Sequence, residues 1–196
     1  MSKVGHLIEN YIYFYHLDKF CVIPQYPEQL GETNNVNFEQ TNILGRSAPI
    51  FTYSHSGPRH LTINLHLHRD MMQDRNLTPN SFGVEDGDDI IQALIDCLEC
   101  SCLPKYTDAT KMIDPPIVAI RFGKNFFIKG VVVGGVQKTH SGPIIDDKYA
   151  ECAISFTVGE YDPYDAISVS ESGAYRGLDS NLANKLSGGG RLLWDM

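Results

Sequence analysis

His66 and His68 are the first candidates for chemistry in this 196-residue chain. Alternate residues of a strand share a face, so the pair would set two imidazoles side by side, a common beginning of a metal site. One known class of metal sites that starts from such a pair also uses a Glu a few residues on and a distant His. The sequence continues Asp70-Met71-Met72-Gln73-Asp74 with no Glu, and His140 falls in a Gly/Ser-rich stretch. The two histidines are therefore expected on a wet sheet surface or a subunit contact, with no metal bound. A metal-dependent β-sandwich enzyme built on His66, His68 and Asp70 is the competing reading. The cysteines number five, an odd count, and three crowd together as Cys97, Cys100 and Cys102. Zinc takes four ligands, usually as two pairs, and Cys21 and Cys152 are isolated in apolar surroundings, so reduced thiols are expected instead.

No catalytic set survives inspection. Ser54-His55-Ser56 lacks a Gly-x-Ser-x-Gly elbow. Val133-Gly134-Gly135 and Gly188-Gly189-Gly190 lack the Gly-Lys-Ser/Thr ending of a phosphate loop, so they read as strand termination and hinge. Neither a catalytic residue nor a cofactor is expected. Arg46, between Gly45 and Ser47, is the most informative single charge. A guanidinium held in a tight turn can clamp a carboxylate bidentately, in its own subunit or a neighbour.

The elements that would position these residues follow from periodicity. Leu61, Ile63, Leu65 and Leu67 alternate with His60, Thr62, Asn64, His66 and His68, which predicts a strand with one buried face. A short strand from Pro49 to Tyr53 precedes it, and the turn at residues 55–58 predicts a hairpin between the two. Residues 6–23 predict a strand with Tyr11, Tyr13 and Tyr15 on one side; displayed, these rings would suit a carbohydrate-binding sandwich. Residues 31–42 fit a weak strand or a partner-ordered loop. Residues 70–89 predict a loop. The stripe Ile90, Ile91, Leu94, Ile95 and Leu98 predicts a helix at about 88–102, opened by a capping box of Asp89 and Gln92 and stopped by Pro104. A β-hairpin is expected over residues 117–136, its second strand apolar on both faces and so covered twice, once by another chain. Residues 137–149 predict a turn, and Cys152 to Val158 the last core strand. Together these give a mainly β domain with one helix over residues 1–162, arranged as two packed antiparallel sheets. Residues 163–196 form an extension whose apolar tip, Leu192, Leu193 and Trp194, is expected to dock on a partner.

Composition sets limits. Hydrophobic residues make up 42% of the chain, enough for a sizeable core, and the formal charge of −8 argues against sequence-independent binding to a nucleic acid backbone. No apolar run approaches the length of a bilayer-spanning helix, and the first twenty residues are too interrupted by polar groups for a signal peptide, so no membrane association is expected.

Ile43-Leu44-Gly45-Arg46-Ser47-Ala48-Pro49-Ile50, then Tyr53-Ser54 and Gly57-Pro58-Arg59, then a strand ending in His68-Arg69-Asp70, resembles the tail-tube-like domain of phage baseplate hub proteins, which also occurs in contractile injection systems. Pro115-Pro116-Ile117-Val118, Arg121-Phe122-Gly123 and Phe127-x-Lys129-Gly130-Val131-Val132 follow in the family's order, and the resemblance covers roughly residues 20–160. It implies a β-sandwich or barrel that forms a homo-oligomeric ring, with six copies expected, at the baseplate end of a tail tube, as hub or tube initiator. It implies tail-tube and baseplate proteins as neighbours, DNA passing through the channel without specific binding, assembly in the host cytoplasm and residence in the virion. The family's peptidoglycan-binding C-terminal module has no counterpart after Asp162. Gly45, Arg46, Ser47, Pro49, Tyr53, Arg59, His66 and His68, with Leu192, Leu193 and Trp194, are the residues expected at subunit interfaces.

Overall fold

Hydrophobic alternation along residues 60–68 places four leucine and isoleucine side chains on one side of a strand, and the rest of the core forms against them. The computed structural model describes residues 10–74, 80–83, 89–104, 115–123 and 126–161. The strands are β1 (Asn10–Phe14), β2 (Lys19–Val22), β3 (Gln29–Thr33), β4 (Val36–Thr41), β5 (Ile50–Ser56), β6 (His60–His68), β7 (Val118–Phe122), β8 (Phe126–Ile145) and β9 (Lys148–Glu160). Two helices, α1 (Arg69–Gln73) and α2 (Ile90–Cys100), lie between β6 and β7. The fold is mainly β with one main helix and two antiparallel sheets that do not close into a barrel. The larger sheet runs β2-β1-β7-β8-β9-β6-β3, and the smaller is β4-β5.

The main core lies on one face of the seven-stranded sheet. Leu61, Ile63, Leu65 and Leu67 of β6 meet Cys152, Ile154, Phe156 and Val158 of β9, with Ile12 and Phe14 of β1 and Val118, Ile120 and Phe122 of β7. Helix α2 covers them with Ile91, Leu94, Ile95 and Leu98, all at most 1% exposed. Asp89 caps this helix, its carboxylate accepting from the backbone N–H groups of Ile91 and Gln92. The expected capping box forms only by half, because the Gln92 side chain donates to Asp96 at 2.7 Å. The helix ends at Cys100, ahead of Pro104, with the Ser101 hydroxyl donating to the Cys97 carbonyl.

Several expectations are corrected. Residues 6–23 are expected as one strand; the described part, from Asn10, folds as the hairpin β1–β2, turned through Asp18 at φ 52°. Tyr11 and Tyr13 are buried against Val22 and Ala119 on the second face of the sheet, so they are not displayed for stacking on a sugar. This cluster, with Phe127 packed on it, also covers that end of β8 from within the subunit. The expected hairpin between β5 and β6 does not form. Strand β5 pairs with β4, and β6 pairs with β3 and β9. The loop expected at residues 70–89 begins with the short helix α1. Gly134-Gly135 and Gly142-Pro143 do not end β8; the strand continues through irregularities there and turns only at Asp146-Asp147. Glycines at positive φ, 79° at Gly134 and 89° at Gly135, let a long strand bulge without terminating. The boundary near residue 162 and the extension 163–196 lie outside the described residues.

A candidate assembly surface

Strands β3 and β6 are paired, and so are β4 and β5 that join them. The four strands are therefore one long hairpin, residues 29–68. Its lower half belongs to the large sheet and its upper half projects as a two-stranded arm. Cross-strand partners share a face, so Phe38 and Tyr53 stand together, with Gln40 and Phe51 beside them. The Phe38 and Tyr53 rings meet edge-on, 5.8 Å apart. The opposite face carries Asn37, Glu39, Thr41, Thr52 and His55, with Ile50 beside Thr41 near the tip, and Asn37 hydrogen-bonds His55 at 2.8 Å. The arm is thus amphipathic, yet every residue of both its strands is exposed. Val36, Phe38, Phe51 and Tyr53 are 48%, 57%, 63% and 57% exposed, a row of large apolar groups that the described part of the subunit leaves uncovered. A two-stranded hairpin with a bare apolar face is at best marginally stable alone in water.

The arm's tip holds Gly45 at φ 85°, which no residue with a Cβ adopts readily, and the Arg46 N–H donates to the Ile43 carbonyl at 3.2 Å. Arg46 and Ser47 are exposed, Pro49 is half-buried, and Arg46 has no ion-pair partner among the described residues. Arg46 is thus available to a carboxylate on another chain. Arg59 is placed differently. Only 8% exposed, it pairs with Glu32 and Glu160 and donates to the Phe127 carbonyl, so its guanidinium is committed inside the subunit.

His66 and His68 do share a face, as expected. His66 Nε2 lies 3.5 Å from Glu151 Oε2, and His68 Nδ1 lies 3.9 Å from Asp70 Oδ2. Each imidazole addresses its own carboxylate, and no group of three His, Cys, Asp or Glu side chains converges on one point among the described residues. His66 borders a shallow open groove of about 210 Å³ lined also by Glu28, Asn64, Gln137, Thr139 and Ser155. Hydroxyl and amide pairs, Ser155 to Asn64 at 2.6 Å and Thr62 with Thr157 at 3.1 Å, make the surrounding face polar and water-compatible. The buried thiols are not activated: burial pushes Cys21, Cys97 and Cys152 above the ordinary cysteine value, the reverse of what a nucleophile needs. Ser54 lies 3.2 Å from His55 Nδ1, but Nε2 of that ring faces Asn37, so no acid orients it as a triad requires.

The sheet's two outer edges differ. Along β2, Asn80 bridges Cys21, the Ser81 N–H donates to the Phe20 carbonyl at 2.9 Å, and the Phe20 N–H donates to the Ser81 hydroxyl at 2.6 Å. Among the described residues no second strand pairs along β3, and this edge runs on into β4. The far end of the sheet carries another projection, the β8–β9 tip, with Ile144, Ile145 and Tyr149 at 63%, 51% and 44% exposed. Strand β6 runs antiparallel to β9, so the arm and this tip point from opposite ends of the sheet. Compared with known family models and with curated proteins, the chain matches none. Leu192, Leu193 and Trp194 lie outside the described residues.

Sequence reading placed Tyr53, Arg46 and Pro49 on this surface but missed Phe38 and Phe51. The signal was present, since Val36 and Phe38 have strand spacing and Phe51 alternates with Tyr53. What was missing was the pairing of β4 with β5, which puts all four on one face.

Proposed function

We propose that this chain is a structural protein that works by assembling with copies of itself into a ring, as a hub or tube initiator at the baseplate end of a phage tail or related injection machine. The observation that carries the assembly is the arm: an amphipathic ribbon with four large apolar side chains in a row and no cover for them among the described residues. Such a face gains its stability from another surface. The sequence resemblance in residues 20–160 supplies the particle, and the net charge of −8 suits a channel wall that DNA passes without being held. Arg46, exposed at the arm's tip, is the charge that would fix the docking register against a neighbour's carboxylate.

The mass of the purified assembly tests this reading. Sedimentation velocity on the full chain is expected to give a closed oligomer, with six copies as the first expectation. Replacing residues 37–55 by an Asn-Gly turn is expected to give a folded monomer. A wild-type chain that stays monomeric at tens of micromolar overturns the proposal, as does an oligomer that persists unchanged without the arm.

A further inference from the structure

The arm leaves the sheet through an irregular root. Thr33 pairs with His60 below it and Val36 pairs with Ser56 above it, which leaves two residues on one strand opposite three on the other. Such a mismatch interrupts the ladder and bends the ribbon. One backbone hydrogen bond crosses the root, from the Gly57 N–H to the Asn35 carbonyl at 2.8 Å. The last of the three residues is Arg59. Its backbone carbonyl accepts from Glu160 N–H at 2.8 Å, and its side chain turns back into the sheet. There Nη1 lies 3.2 Å from Glu32 Oε1, Nη2 donates to the Phe127 carbonyl at 2.7 Å and to Glu160 Oε1 at 3.3 Å, and Nε lies 3.3 Å from Glu160 Oε2. One planar guanidinium therefore ties together β3, the strand that continues into the arm, and β8 and β9, which do not.

We propose that Arg59 is the positioning residue of the arm: its buried fork fixes the angle at which the β4–β5 ribbon leaves the seven-stranded sheet, so that the apolar face is presented to the next copy in one orientation. The inference deepens the assembly reading and rests on it for its purpose, though not for its geometry. A bend with a single backbone hydrogen bond across it is a pivot unless side chains lock it. The fork geometry of Arg matches two carboxylates and a carbonyl at once, which a point charge such as Lys cannot do. Pre-setting the angle removes an ordering cost at the moment of association.

The test measures the angle directly. Nitroxides are attached at Asn42→Cys on the arm and Thr62→Cys on the sheet, both exposed positions, in a chain whose exposed thiols are removed by Cys100→Ser and Cys102→Ser. Labelled chain is diluted into unlabelled chain so that distances within one copy dominate. The separation is about 35 Å along the hairpin, within range of dipolar spectroscopy. The wild-type background is expected to give one narrow distance distribution, and Arg59→Gln one at least twice as broad. Glu32→Gln, which takes the charge out of the link to β3 and leaves the Glu160 pair in place, is expected to broaden it less and carries the test should Arg59→Gln not fold. Leu65→Ala, a core change beside neither partner, is expected to lower the melting temperature without broadening. Unchanged widths in Arg59→Gln and Glu32→Gln overturn the inference, and so does equal broadening in Leu65→Ala. A monomeric wild type with clamp-dependent widths would overturn the assembly reading and leave the clamp standing.

Discussion

Phe51→Ser separates the arm's role in association from any role in folding. Phe51 is 63% exposed on the arm's apolar face, beside Phe38 and Tyr53, so its truncation takes almost nothing from the subunit's own core. A phenylalanine carries on the order of 200 Å² of surface, so about 125 Å² of this ring is left for a neighbour to cover. At ~25 cal/mol per Å² that is about 3 kcal/mol for each contact. Each 1.4 kcal/mol is tenfold in a dissociation constant, so the variant is expected to weaken a single subunit contact by about a hundredfold. In the proposed ring every contact would be hit, so any wild-type oligomer in the micromolar range is expected to vanish in the variant. Sedimentation velocity over a concentration series reads the loss, and thermal unfolding followed by circular dichroism reads the fold. The reasoning fails if the oligomer survives with its concentration dependence unchanged. It also fails if Phe51→Ser lowers the melting temperature of a chain that was monomeric to begin with, because the ring would then be stabilising its own subunit.

Asp89 gives a pH prediction. Partial burial opposes its charge, but the Arg69 guanidinium, paired with it between α1 and α2, and the Gln92 N–H outweigh that and hold the carboxyl below the ordinary aspartate value. A group depressed in the folded state contributes stability above its unfolded value and loses it as pH falls through the folded one. Asp89→Asn keeps a capping oxygen but loses the ion pair with Arg69, so it is expected to cost about 1 kcal/mol at pH 7, with the gap to wild type closing as pH falls below about 4 in urea unfolding. A gap that stays constant down to pH 3 contradicts this. Gly130→Ala tests strand approach: a Cβ there would fall on the Gly159 carbonyl where β8 pairs with β9, and backbone cannot step aside as a side chain can. The change is expected to destabilise by about 3 kcal/mol, whereas Gly135→Ala, with open space around its Cβ but φ at 89°, is expected to cost about 1 kcal/mol.

What the sequence revealed was whatever depends on neighbours a few residues apart. The leucine alternation of β6 and the apolar stripe of α2 both state their buried faces locally, and Asp89 announces the helix start. Pairing is a different matter. Nothing between residues 36 and 56 says that β5 turns away from β6 to join β4, because a turn signal such as Ser56-Gly57-Pro58 fits a tight hairpin and an irregular root equally. The glycines at 134 and 135 were read as an ending for the same reason. A bulge and a terminus need the same positive φ, and only the partner strand β9, continuing opposite, distinguishes them. Arg59 was picked out as an interface charge, but its partners Glu32 and Glu160 lie 27 and 101 residues away, beyond the reach of any local pattern.

The covered edge of β2 has one more consequence. A chain whose sheet was open at both sides could add copies without limit, each new one offering the same unpaired row of N–H and C=O groups to the next. Here Asn80 and Ser81 occupy that row on one side, while among the described residues no strand pairs with the outer side of β3. Strand-to-strand addition at the outer side of β2 is therefore blocked.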